Sequence, residues 1–235
     1  AGRPQNPLGH RLPLPQGLFD RKPRQVPVFV RAFGHWTQKG EGYFSQKLVF
    51  SSVAYGVTDN LTLLGGTFTF YPPALTIVGA KVSTEVAPGV YLAAGGEAFI
   101  TTMDDDLSSP AQLAFGGATF GNSDAQLSLT SGYVSLGVDG LGPSAFPLVV
   151  SGQIRTAERG AIVSENWFLL VTRDGEKDDF ENSQAFVGSF AYRLMGPAWS
   201  KWSLDLGLVT LADGFDEILI PLPWIDFAYH FGGKK

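Results

Sequence analysis

Residues 202–208 read Trp-Ser-Leu-Asp-Leu-Gly-Leu. Apolar side chains take every second position, and Ser203, Asp205 and Gly207 fill the places between. A β-strand turns successive side chains to opposite faces, so this stretch is a ribbon with one greasy and one polar side. The same alternation returns elsewhere. Ile225, Phe227, Tyr229 and Phe231 interleave with Asp226, Ala228 and His230, and Leu148, Val150 and Ile154 with Ser151, Gln153 and Arg155. Leu127 and Leu129 likewise alternate with Gln126, Ser128 and Thr130.

Outward from that stretch, strand-like segments fall at about 28–37, 42–56, 61–71, 74–85, 89–102, 111–121, 125–138, 146–157, 160–172, 183–194, 200–212 and 221–231. That is about twelve strands, an even number that returns the last strand to the side where the first began. The connections alternate in kind. Val57–Asn60, Ala87–Gly89, Gly121–Asp124 and Ala157–Gly160 are short and turn-like, whereas most links on the other side are longer and acidic. Tyr71-Pro72-Pro73 is a short exception on the longer side.

Composition agrees with a sheet. There are 29 Gly, 18 Phe, 7 Tyr and 5 Trp, and only 17% of residues are charged. No apolar run approaches the roughly 18 to 20 residues of a membrane-spanning helix, so membrane residence requires a closed barrel. Cysteine is absent, which excludes disulfides, thiolate metal sites and a cysteine nucleophile. The net charge of −5 argues against general nucleic-acid binding. The chain begins at Ala1 without Met, as a product trimmed by signal peptidase would.

A soluble sandwich or lipocalin-like barrel shows the same period with its apolar face turned inward. Its outer face would then carry many Lys and Glu. Here the polar face holds mainly Ser, Thr, Gln and Gly, with about one charge per strand. The expected fold is therefore all-β, a single closed antiparallel transmembrane β-barrel of about 12 strands over residues 28–235. Residues 1–27 precede it as a Pro-rich basic N-terminal arm, periplasmic or plugging the lumen, with Arg3, Arg11, Arg21, Lys22 and Arg24 against Asp20.

Tyr55-Gly56-Val57-Thr58-Asp59-Asn60-Leu61 resembles a strand-turn-strand corner of bacterial outer-membrane barrels. Lys39-Gly40-Glu41-Gly42-Tyr43 with Glu165-Asn166-Trp167 resembles a group of uncharacterised Bacteroidetes-type barrels, over about Val28 to Phe231. The resemblance implies a bacterial outer-membrane location and a barrel fold, and no activity. Such barrels often end on an aromatic residue, whereas here Phe231 is followed by Gly232-Gly233-Lys234-Lys235.

Eight charges near strand centres form the candidate site. Lys47, Lys81, Glu97, Arg155, Glu165, Arg193, Asp205 and Asp226 are expected to pair across the lumen, because buried charges persist only when compensated. Arg155 and Glu165, counted from the turn near Ala157–Gly160, are the expected partners. Asp104, Asp105, Asp106, Asp178 and Asp179 lie in acidic links that could attract a divalent cation, against the plainer reading of solvated loops. Gly65-Gly66, Gly95-Gly96 and Gly116-Gly117 read as sites of curvature or close packing rather than phosphate loops.

Only His10, His35 and His230 exist, and none sits in a nucleophile motif. No enzymatic activity and no cofactor are expected. Two functions fit: a structural or assembly subunit with a filled lumen, docking a protein partner through the arm or loops, or a small-solute channel. The expected surroundings are outer-membrane lipid and lipopolysaccharide, without nucleic acid.

Overall fold

The computed structural model describes residues 37–101, 111–122, 124–135, 144–172, 183–197, 201–213, 217–218 and 221–232. Its strands are β1 (Glu41–Lys47), β2 (Phe50–Gly56), β3 (Leu61–Phe68), β4 (Thr76–Ala87), β5 (Val90–Ile100), β6 (Ala111–Gly121) and β7 (Ala125–Ser135). They continue with β8 (Ser144–Ala157), β9 (Gly160–Thr172), β10 (Ser183–Met195), β11 (Trp202–Asp213), β12 (Glu217–Ile218) and β13 (Leu222–Gly232). A single 3-10 turn, Pro72–Ala74, is the helical element among the described residues.

Each long strand pairs antiparallel with its neighbours in sequence, β11 pairs with β13, and β13 pairs with β1. Twelve strands thus form a closed antiparallel ring, and two-residue β12 lies beside the end of β11. Closure leaves no unpaired edge, which is how a sheet satisfies its backbone without water.

The count matches the sequence reading, but its composition does not. The segment expected as one strand over 42–56 is two, reversed at Leu48-Val49, where Leu48 takes the unusual φ of 39°. Both edges of β1 are occupied, by β2 and β13, so the ring is complete without a strand at 28–37. That expected strand lies outside the described residues except for Thr37.

The links at 57–60, 88–89, 122–124 and 158–159 gather at one end of the ring. The approach to β1 is at the same end, where Gly40 N donates to Gly56 O at 2.9 Å and Lys39 N to Asp59 Oδ1 at 3.1 Å. Side chains close these turns in place of strand partners. Thr58 Oγ1 accepts from Leu61 N at 2.9 Å, and Asn122 Oδ1 accepts from Asp124 N at 2.8 Å. The turns at 48–49 and 69–75 lie at the opposite end, as do the strand ends Ile100, Ala111, Ser135, Ser144, Thr172 and Ser183.

Register fixes which way each side chain points. Phe44, Val53, Leu63, Val78, Leu92, Leu129, Leu148, Ile154, Phe190, Leu206, Leu208, Ile225, Phe227 and Tyr229 face outward and are exposed. Among the described side chains of the twelve ring strands, no Asp, Glu, Lys or Arg holds an outward position. All of that charge points inward.

Candidate functional site

The interior is built by register. Arg193 on β10 stands opposite Asp205 on β11, Asp205 opposite Asp226 on β13, and Asp226 opposite Lys47 on β1. The four charges thus run as a continuous row across four strands, with two carboxylates flanked by two cations. Arg193 grips Asp205 in a fork, Nε to Oδ1 at 2.7 Å and Nη2 to Oδ2 at 2.6 Å, and its Nη1 donates to Gln153 Oε1 at 3.0 Å. Ser45 Oγ donates to Asp226 Oδ1 at 2.8 Å. Arg193, Asp205 and Asp226 are each 1% exposed. A planar guanidinium matched to a carboxylate is the geometry that best offsets such burial.

The facing wall holds a second group. Lys81 on β4 and Glu97 on β5 are buried one diagonal step apart. Glu165 on β9 is buried as well, and its Oε1 accepts from Trp167 Nε1 at 2.7 Å. Beside these charges lies an apolar cluster that the alternation rule does not anticipate. Leu113, Phe115 and Val149 pack with Leu64, Phe99, Val134 and Trp167, all on inward positions of β3 and β5 to β9. The glycines serve this packing: a Cβ on Gly95 would meet the Phe115 ring at 2.6 Å, so the bare backbone makes room for the ring.

Arg155 corrects one expectation. Register sets it opposite Ala161, while Glu165 stands opposite Ser151, so the two are not partners. The tight turn at Glu158-Arg159 brings Arg155 near the barrel end and leaves Glu165 well inside. Arg155 instead pairs with Asp124 at 2.8 Å, and its Nη1 donates to Glu158 O at 2.8 Å.

Of the histidines, His230 is buried beside Tyr43, its register partner, with ring centroids 6.0 Å apart. His10 and His35 lie outside the described residues, as do the cation candidates Asp104, Asp105, Asp106, Asp178 and Asp179. The chain enters the described region at Thr37, which is buried and hydrogen-bonded to inward-facing Thr62 at 2.9 Å.

No protein-family model matches the sequence, and no curated protein matches it. Solved structures of OmpT, an outer membrane protein of Vibrio cholerae, are similar in fold. The in-vitro folded form is 12% identical with a TM-score of 0.44, covering 77% of this chain and 64% of that one. A loop L8 deletion mutant of OmpT gives 12% identity and a TM-score of 0.48, over 77% and 62% of the respective chains. The chain therefore spans less than two thirds of the OmpT length. The expectation of no enzymatic activity does not stand. The similar chains are OmpT, and a likeness of barrel fold gives no ground for excluding an activity.

Proposed function

We propose that the protein is an integral barrel of the bacterial outer membrane whose lumen is closed by its own side chains, acting as a structural or assembly subunit that docks a partner. The observation that carries this reading is the row Arg193, Asp205, Asp226 and Lys47, between 1% and 6% exposed inside a ring whose outward positions bear no charge among the described side chains. An apolar exterior of this kind suits lipid, and charges lining an aqueous pore would remain wetted.

Export to the outer membrane belongs to the same reading. So does kinship with the Bacteroidetes-type barrels, resting on Lys39–Tyr43 and Glu165–Trp167. Residues 1–27, which precede the short-turn end, and the long links at the other end are the surfaces for a protein partner and for lipopolysaccharide.

Purified protein added to planar lipid bilayers tests the closed lumen. Insertion without stepwise ohmic conductance is the expected result. Reproducible single-channel steps, altered in ion selectivity by Lys47→Ala or Glu97→Gln, would replace the filled-lumen reading with a small-solute channel.

A further inference from the structure

The inward positions change character along the barrel axis. Toward the short turns they are mainly polar, and Thr62, Thr119, Ser128 and Gln153 are buried there. At the opposite end, among the described side chains, the inward series of every ring strand except β1 finishes on an apolar residue, while β1 finishes on Lys47, which faces Asp226. Phe50 stands opposite Phe68, and Trp167, Val187 and Leu211 form a row across β9 to β11.

These apolar side chains do not fill the space they face. Phe50, Phe68, Phe99, Trp167 and Val187 are only partly buried, and Leu211 points inward yet is 41% exposed. Glycine in the wall helps to keep that space free. A Cβ on Gly66 would meet the Phe50 ring at 2.8 Å, so the bare backbone lets the ring lie against the sheet instead of across the lumen. Twelve strands also enclose more room than the eight whose side chains fill a barrel. A concave apolar wall at the mouth of a barrel is a favoured place for a small ligand.

We infer that this half of the lumen is a binding chamber for an alkyl chain, floored by the charged row that closes the barrel in the reading proposed above. Arg193 and Asp205 lie nearer the short turns than Val187 and Leu211 on the same strands, which puts the charge beneath the apolar wall. The surrounding sheet limits an occupant to something narrow. Trp167 gives its indole N–H to Glu165 and the other five side chains have none to give, so a polar group among them would go unpaired. An alkyl chain is narrow and flexible and asks for no partner, whereas a polypeptide brings polar backbone. A free hydrocarbon and the tail of a fatty acid supply this same chemistry.

The chain has no cysteine, so Leu211→Cys in lipid nanodiscs is a single reporter. It should react with a water-soluble methanethiosulfonate, and dodecane or dodecanoate at roughly ten times its Kd should slow that reaction roughly tenfold. Slowing by dodecane assigns a free hydrocarbon, and slowing by dodecanoate alone assigns a chain with a charged head. A cysteine replacing exposed Tyr71, at the same end, should react at an unchanged rate. Val187→Asp should abolish the protection while heat-modifiable migration persists, and Phe68→Ser, a milder change, should weaken it. A cysteine at position 211 that never reacts, one whose rate neither compound changes, or protection that survives both substitutions overturns the inference. Stepwise conductance, or loss of heat-modifiable migration in the unsubstituted protein, strikes instead at the closed-barrel reading on which it rests.

Discussion

Arg193 touches both oxygens of Asp205, and Asp205 faces Asp226 across the next strand pair, so the guanidinium offsets the burial of Asp205 beside a second carboxylate. Arg193→Ala should lower stability in detergent by about 3 to 5 kcal/mol, read as a lower thermal midpoint, because a buried carboxylate loses its partner. Adding Asp205→Asn should recover much of that loss. Arg155→Ala should cost no more than about 1 kcal/mol, since its ion pair with Asp124 is partly solvated at the barrel end. In a double-mutant cycle Arg155→Ala and Glu165→Gln should show no coupling. The inward direction of these residues was legible in the sequence because it depends only on parity. The pairing of Arg155 was not, because pairing depends on how many residues the Glu158-Arg159 turn consumes and on the register shift beside it.

Turn chemistry decided which elements could be read. Asn and Asp mark the bends at Val57–Asn60 and Asn122–Asp124, where side-chain oxygens cap the backbone, and the strands around them stood out. The bend at Leu48-Val49 carries none of the usual residues, so β1 and β2 read as one strand. Closure enforces it nonetheless, as Leu48 N donates to Ile225 O at 3.2 Å from the neighbouring β13. A leucine at positive φ is strained, and asparagine tolerates that conformation better. Leu48→Asn should therefore raise the midpoint by an amount equivalent to about 1 kcal/mol, measured by heat-modifiable migration across a temperature series. An unchanged or lower midpoint would mean that the apolar contact of Leu48 outweighs its backbone strain.

At the scale of the molecule, the proposed membrane reading puts the two ends of the ring on opposite sides of the bilayer, and the alternation of links suggests which end is which. With the short turns in the periplasm, a cysteine replacing Tyr71 should react with an impermeant maleimide on whole cells. One replacing Glu158 should react only after the outer membrane is opened. Labelling in the reverse pattern would invert the barrel. The exterior of the ring was legible because a surface of the kind proposed to face lipid keeps charge off its outward positions and favours apolar residues there. The interior was legible only in part. A lumen has no such uniform rule, so Leu113, Phe115, Val149 and Trp167 gave no sign that they would meet one another beside the charges.

The seam between β1 and β13 carries a further consequence, for how the barrel is made. Seven residues near the start of the ring pair with the last long strand of the chain, so this junction cannot form until nearly the whole polypeptide is present. Until then β1 and the most recently formed strand are both raw borders, able to pair with any other chain. Loops of great length must close to bring these ends together, which makes the step slow. Assembly therefore ends with a single stitch, and a chaperone or membrane insertase that shields the two borders until that moment would decide whether the chain becomes a cylinder or an aggregate.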